Sequence, residues 1–216
     1  MKLISLFVAT ALALTAFHAS AESSWYIKPT FGISMLSDQD GQVTDVLAQT
    51  GSVDIKLDGG FNAGIAAGYF VNNNWAVELY WEYRSNDSET TLPGGIEFTD
   101  GNFASSVIAI NAYHYFESDT DWRWFAGAGL AFTQEIDIDL EDASGERSFS
   151  GSGDTGFQLM FGADYTLSKR LSAQAELRYT IISGVDMDAE ENVTIGTFEN
   201  IDYTPLSFQL NLKYRF

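Results

Sequence analysis

Alternation of apolar and polar residues dominates this chain, and its last segment displays the pattern most clearly. In residues 206–216 every second side chain is apolar or aromatic, and the side chains between them are polar, as at Gln209 and Lys213. A period of two predicts a β-strand with one apolar and one polar face.

Residues 75–84 carry the same pattern in its most informative form. One face holds two tryptophans and a tyrosine, whereas the other holds Glu78, Glu82 and Arg84. The charged face is a poor core for a soluble sheet, and the aromatic face is a poor surface against water. This segment therefore predicts a strand that lies between lipid and a narrow polar lumen.

Eight alternating segments occur along the chain. Their predicted bounds are 25–35, 60–71, 75–84, 103–116, 122–133, 157–166, 171–181 and 206–216. The connections after the second, fourth and sixth segments are short, whereas the others are long, about 36–59, 86–102, 134–154 and 183–203. Short periplasmic turns that alternate with long extracellular loops are typical of a membrane barrel. The pattern predicts an all-β fold, an eight-stranded antiparallel up-and-down transmembrane β-barrel.

The first residues have the features of an export signal. Lys2 is followed by an apolar run over residues 3–17 and by the small-residue cleavage motif Ala19-Ser20-Ala21. The run is shorter than the roughly 20 residues of a spanning helix. The predicted organisation is a signal peptide, residues 1–21, and one barrel domain, residues 22–216.

Charge is distributed unevenly over the chain. Acids outnumber bases 30 to 11, which excludes nucleic-acid binding through phosphates, and cysteine is absent. The four long connections hold 22 of the 30 acids, opposed there only by Lys56 and Arg147. Such loops can simply keep the surface solvated. Alternatively, they bind a basic partner, or they bind divalent cations that bridge to lipopolysaccharide.

Two acidic stretches, 38–41 and 186–191, resemble calcium loops in composition, but neither completes the ligand spacing of an EF-hand. No metal ligands are predicted. The alternation in residues 137–140 predicts that one strand extends above the membrane.

The polar faces of the eight segments place nine charged residues inside the barrel. These are Lys28, Glu78, Glu82, Arg84, Asp164, Glu176, Arg178, Lys213 and Arg215. Four acids and five bases are nearly balanced, as buried charges must be. The seventh and eighth segments are neighbours in the predicted barrel, and its closure places the eighth beside the first. We therefore predict one connected ion-pair network, formed by Lys28, Glu176, Arg178, Lys213 and Arg215. That network either fills the lumen as a plug or lines a narrow path for solutes.

Several short motifs add a family resemblance to this pattern. They are the opening Trp25-Tyr26, the glycine-spaced stretches 60–64 and 125–129, and the closing Leu212-Lys213-Tyr214-Arg215-Phe216. With them the chain resembles small bacterial outer-membrane β-barrel proteins of the group that includes the OmpA transmembrane domain, OmpX and OmpW. The resemblance implies that Tyr214 and Phe216 are an assembly signal for the barrel-assembly machinery. It also implies contact with outer-membrane lipid and lipopolysaccharide, without a cofactor.

Catalysis is not expected from these residues. Barrels that resemble the lipid A palmitoyl transferase or deacylase need a histidine that works with a serine or an acid. The predicted mature chain has one histidine, His114, on the apparent lipid face near the periplasmic end. We therefore expect a non-enzymatic protein with a structural role in membrane integrity or a narrow porin-like passage. The alternative is a surface adhesin, or a cation- or partner-binding protein, that acts through its acidic loops.

Overall fold

The computed structural model describes residues 24–142, 145–190 and 195–216. The predicted signal peptide, residues 1–21, lies outside the described residues. These residues form twelve strands: β1 (Trp25–Met35), β2 (Gln39–Val46), β3 (Gln49–Phe70), β4 (Trp75–Leu92), β5 (Ile96–Phe98), β6 (Asp100–Tyr115), β7 (Trp122–Asp142), β8 (Gly145–Gly151), β9 (Thr155–Thr166), β10 (Leu171–Ala189), β11 (Thr197–Tyr203) and β12 (Leu206–Arg215).

Eight of these strands form a closed antiparallel ring. Its order is β1, β3, β4, β6, β7, β9, β10 and β12. The pairing of β1 with β12 closes the ring, with Tyr26 opposite Arg215 and Met35 opposite Leu206. Closure leaves no strand edge unpaired at the level of the membrane. The predicted eight-stranded up-and-down barrel is confirmed.

The predicted short turns lie together at one end of the ring, together with the start of β1 and the end of β12. The alternation of short and long connections assigns this end to the periplasm. In the turn between β3 and β4, the Asn72 side-chain oxygen accepts hydrogen bonds from the amides of Asn74 and Trp75, both at 2.9 Å. An asparagine that satisfies its own turn explains why the chain can reverse within a few residues.

At the opposite end, the four long connections are present, but most of their residues form β-sheet and not irregular loops. Strands β3, β4, β7 and β10 continue far beyond the predicted segments, and β2, β5, β8 and β11 pair with these extensions. Strand β2 keeps the register that β1 has on β3, since both Ser34–Gly60 and Gln39–Ile55 are paired. The barrel wall therefore extends above the membrane as β-sheet.

In the membrane half, the two faces of the strands are as predicted. Large apolar side chains point outward, and Leu79, Leu159 and Leu210 are each more than half exposed to the surroundings. The polar residues that alternate with them are buried inside, among them Glu176 and Gln209. The membrane half thus has a polar interior and an apolar exterior. Among the described residues, no helix is long and apolar enough to cross a membrane.

The extracellular half has an apolar interior instead. A cluster of buried apolar side chains fills the upper barrel, and we call it the upper core. It comprises Leu36, Val43, Val46, Val53, Ile55, Leu57, Leu92, Phe98, Phe103, Val107, Ala131, Ile136, Ile138, Leu140, Phe149, Ile182, Val185, Met187, Phe198, Ile201 and Tyr203. The residues that alternate with the upper core on the outside are largely acidic, so this half has the ordinary arrangement of a water-soluble barrel.

Bulges join the two halves. The strand register shifts by one residue between Leu57 and Gly60 on β3, opposite Ser106 and Val107 on β7, and between Ile182 and Val185 on β10. An extra residue in a strand reverses which side chains face inward beyond it. On these three strands, the apolar residues above the bulges therefore lie at positions that the simple alternation below would place outside.

Candidate functional site: the lumen and the extracellular sheet

The structure places eight of the nine predicted lumen residues inside the barrel, each less than a tenth exposed. These are Lys28, Glu78, Glu82, Arg84, Asp164, Glu176, Arg178 and Lys213. The ninth, Arg215, is half-buried at the periplasmic mouth, with its guanidinium 4.2 Å from the centre of the Phe70 ring. The inward positions follow from the period of two in β1, β4, β9, β10 and β12.

The centre of the lumen is a four-membered ion cluster. Glu176 pairs with Arg178 at 2.7 Å and lies 3.7 Å from Lys28, which pairs with Glu78 at 2.9 Å. The Tyr113 hydroxyl accepts a hydrogen bond from Arg178 at 3.1 Å and donates one to Glu78 at 3.1 Å. Each charge thus has an opposite charge and a hydrogen-bond partner, which offsets the cost of its removal from water.

A second pair lies nearer the extracellular half. Glu82 pairs with Arg84 and accepts hydrogen bonds from the Tyr80 hydroxyl at 2.6 Å and the Gln209 amide at 2.6 Å. The Arg178 guanidinium stacks 3.8 Å from the centre of the Tyr80 ring and so connects this pair to the central cluster. Sequence reasoning did not assign a role to these tyrosines, although the period of two puts Tyr80 on the same face as Glu78 and Glu82.

The predicted single network does not extend to Lys213 and Arg215. Lys213 pairs with Asp164 at 3.0 Å, near the periplasmic mouth, and not with Glu176. Buried tyrosine and phenylalanine rings form a cluster next to this pair, namely Tyr26, Phe70, Tyr113, Tyr115 and Phe125, together with Ala76 and Met160. The register between β10 and β12 determines this pairing, and it cannot be read from the sequence.

On the extracellular half, the outer sheet surface carries an acidic groove of about 560 Å³. It lies over β4, β6 and β7, and we call it the acidic groove. Its carboxylates are Asp58, Asp87, Glu89, Asp100, Asp139, Glu141 and Glu146. Burial, together with the charges of Glu146 and Glu190, raises the pKa of Asp139. So many like charges in one groove favour positively charged ligands.

Next to this groove on β7, Asp137 confirms the predicted strand extension. Burial, followed by the charges of Asp139 and Glu135, raises the pKa of Asp137 to about 6. The two calcium-loop-like stretches are largely strand as well: residues 39–41 belong to β2 and 186–189 to β10, while residue 191 lies outside the described residues. Across the residues that the structure describes, no three acids or histidines are grouped so that they could hold a metal ion.

His114 lies on the outer face of β6, where its ring is 4.7 Å from Trp75 and 5.0 Å from Phe116. Aromatic rings at this height are typical of the interfacial girdle of membrane barrels.

Comparisons with known proteins give the chain its relatives. A family model described as outer membrane protein beta-barrel domain matches residues 4–216. A protein of Rickettsia conorii that is named as a candidate adhesin is 26% identical over 178 residues, which cover 77% of this chain and 70% of that protein.

Two solved structures have a similar fold. The outer membrane protein OprG of Pseudomonas aeruginosa superposes with a TM-score of 0.68 at 15% identity, over 91% of this chain and 98% of OprG. Neisserial surface protein A gives a TM-score of 0.55 at 16% identity, over 91% and 100% of the two chains.

Proposed function

Because this chain belongs to the family of outer-membrane protein β-barrel domains and lies in the bacterial outer membrane, we propose that it is a closed barrel that binds a cationic partner at the cell surface. The binding surface is the acidic exterior of its extracellular half. This proposal takes the adhesin or partner-binding alternative over the passage of solutes.

The filling of the barrel argues against a solute path. At the level of the membrane, the ion pairs around Glu176 occupy the lumen, and the side chains of Glu176, Arg178 and Lys28 are at most 1% exposed. Above them the upper core closes the barrel a second time, with apolar side chains such as Ile138 and Phe149 fully buried. A solute would have to displace paired charges and then a packed apolar core.

The observation that carries the proposal is the combination of this core with an acidic exterior. Acidic loops that only keep a protein solvated need no packed interior, because charged and flexible segments remain in water by themselves. Here the strands and the upper core hold the carboxylates of the acidic groove on a rigid sheet. A fixed array of like charges attracts and orients an oppositely charged partner.

The candidate adhesin of Rickettsia conorii supports a role in binding at the surface, since its similarity covers most of this chain. We also propose that the chain is not an enzyme, because its described histidine lies on the lipid face among aromatic rings.

Two further contacts belong to the proposal. The exposed apolar exterior of the membrane half contacts lipid and lipopolysaccharide. The adjacent rings of Tyr214 and Phe216, 5.5 Å apart at the end of the last strand, are the proposed signal to the barrel-assembly machinery.

The test uses refolded barrel in lipid nanodiscs on a sensor, with decalysine and decaglutamate as probes. We expect that decalysine binds, that salt weakens this binding, and that decaglutamate does not bind. The double variant Glu89→Gln/Glu141→Gln removes two charges from the acidic groove and should weaken binding roughly fivefold, as expected for charges at a binding surface.

The control double variant Asp40→Asn/Glu199→Gln removes the same charge from exposed positions outside the groove and should have a smaller effect. Equal effects of the two double variants would mean that decalysine binds to the negative surface in general and not to the acidic groove. Saturable calcium binding without decalysine binding would favour the divalent-cation alternative. Reproducible conductance in planar bilayers would contradict the closed barrel.

A further inference from the structure

The basic residues of this acidic chain are concentrated at the periplasmic mouth of the barrel. Five of its 11 lysines and arginines line one cavity of about 170 Å³, although the net charge of the chain is −19. They are Arg123, Lys169, Arg170, Lys213 and Arg215. We call this cavity the basic mouth.

The fold brings these five residues together from three places. Arg123 lies near the start of β7, Lys213 and Arg215 lie near the end of β12, and Lys169 and Arg170 belong to the turn between β9 and β10. All of these positions are at the end of the barrel where the short turns lie. The acids of the neighbouring turn, residues 117–121, do not line the cavity.

The cations of the basic mouth outnumber the carboxylates that line it. Asp164 is the carboxylate among the lining residues, and Lys213 already pairs with it at 3.0 Å. The Arg123 guanidinium donates hydrogen bonds to the backbone oxygens of Asn73 at 2.7 Å and Phe116 at 3.3 Å, which fix its position without neutralising its charge. In the part of the chain that the structure describes, ion pairs with a carboxylate are absent for Arg123, Lys169, Arg170 and Arg215.

Cations held together without a counter-charge repel one another, and an anion between them removes that cost. Guanidinium groups suit phosphate in particular, because their planar N–H donors match two oxygens of one phosphate. We propose that the basic mouth binds a phosphate group, either of an anionic phospholipid headgroup or of a soluble phosphate ester in the periplasm.

The surroundings of the cavity favour the phospholipid. Trp122 and Trp124 on the start of β7 are each more than half exposed on the outer face, and the Trp122 ring packs 4.8 Å from that of Tyr165. Exposed tryptophan and tyrosine mark the level of the lipid headgroups in membrane barrels. Lys169 and Arg170 lie in the turn that follows Tyr165 and are exposed, so they extend from the lipid-facing wall to the cavity.

The test is native mass spectrometry of the refolded full chain, released from detergent micelles after incubation with one ligand at a time. The ligands are phosphatidylglycerol, phosphatidylcholine with the same acyl chains, and glycerol 3-phosphate. We expect one tightly held phosphatidylglycerol. Phosphatidylcholine should bind more weakly, because its ammonium group meets the cations of the basic mouth.

Two sets of variants locate the site. Arg215→Gln and the double variant Lys169→Gln/Arg170→Gln should each weaken the phosphatidylglycerol adduct about tenfold, the effect of losing charged hydrogen bonds. The double variant changes only exposed turn residues and keeps the test valid if Arg215→Gln does not refold. Lys56→Gln, an exposed cation of the extracellular half, is the matched control and should bind like the parent.

Glycerol 3-phosphate that binds as tightly as phosphatidylglycerol would assign the site to a soluble phosphate ester. The proposal is overturned if neither phosphate ligand binds, or if both sets of variants bind as the parent does. Because decalysine binding is measured at the other end of the barrel, failure here leaves the proposed surface function standing.

Discussion

In the membrane half of this barrel the interior is polar and the exterior apolar, whereas in the extracellular half the interior is apolar and the exterior acidic. Strands β3, β4, β6, β7 and β10 run through both halves, so the difference lies in the solvent that surrounds each half. In lipid there is no hydrophobic driving force that would move apolar side chains from the exterior to the interior. The interior can then hold charges that pair with one another. Water surrounds the extracellular half and drives its apolar side chains inward.

The largest effect on this comparison is expected at the central ion cluster. Glu176→Gln leaves Arg178 and Lys28 buried without their shared carboxylate, which should cost about 3–5 kcal/mol of unfolding free energy. The double variant Glu176→Gln/Arg178→Met should recover part of that loss, because both changes remove the same interaction. Urea unfolding, followed by the mobility of unheated samples on gels, measures both.

The matched control for Glu176→Gln is Asp142→Asn, which breaks the half-exposed pair with Arg147 on the extracellular half. An exposed pair should contribute only about 0–1 kcal/mol. Equal losses in the two variants would mean that the lumen charges are separately hydrated.

The upper core should behave as an ordinary protein core. Ile138→Ala removes buried apolar volume from it and should destabilise the extracellular half by about 2–5 kcal/mol. Limited proteolysis should then cleave the extracellular half while the membrane half keeps its folded mobility on gels. Leu130→Ala, on the lipid face of the same strand, should have little effect because lipid fills the space. Cleavage of both variants alike would contradict a separate upper core.

The two exteriors should differ in their tolerance of a new charge. Leu79 is 56% exposed on the lipid face, and Leu79→Arg should cost about 2–4 kcal/mol, the cost of arginine near the middle of a bilayer. Thr44→Arg, at an exposed position of β2, should be tolerated because water surrounds it. Refolding yield in lipid vesicles compares the two, and a poorly tolerated Thr44→Arg would place β2 in lipid.

The smallest effect is a dependence on pH in the extracellular half. The pKa of Asp137 is raised to about 6, well above its value of about 3.9 in an unfolded chain. As pH falls from 7.5 through 6, the folded carboxyl therefore takes up its proton first and folding becomes more favourable. The gain is lost as pH rises through 6, and partial exposure should keep it below about 1 kcal/mol.

Carboxyl NMR should place the midpoint of Asp137 near pH 6, and Asp137→Asn should reduce the pH dependence of protease resistance between pH 5 and 7.5. An ordinary midpoint near 4 would contradict the buried position of this carboxyl.

The sequence predicts the membrane half of this fold well and the extracellular half poorly, for one physical reason. The alternation in residues 75–84 is uninterrupted and gives the faces directly. Above the membrane each bulge shifts the pattern by one residue, so that Ile136 and Ile138 no longer match the inward positions Gly129 and Ala131. Acidic residues on an outer face also resemble a solvated loop. The lumen pairs depend on register, which no alternation reveals, and Lys213 therefore binds Asp164 instead of Glu176.

The bulges have a consequence for how this chain can tolerate insertions and deletions. Side chains alternate between the inner and the outer face along each strand. Each bulge shifts this alternation by one residue, at the height where lipid gives way to water. Deletion of Gln134, the extra residue of the bulge on β7, would make the alternation continuous and leave Ile136 and Ile138 facing the core. Deletion of one residue above the bulge, such as Asp137, would instead turn the rest of that strand inside out, with Asp139 facing the core. Loss of two residues higher in the same strand would shorten the wall and keep every face. Variation in the length of the extracellular half should therefore proceed in steps of two residues.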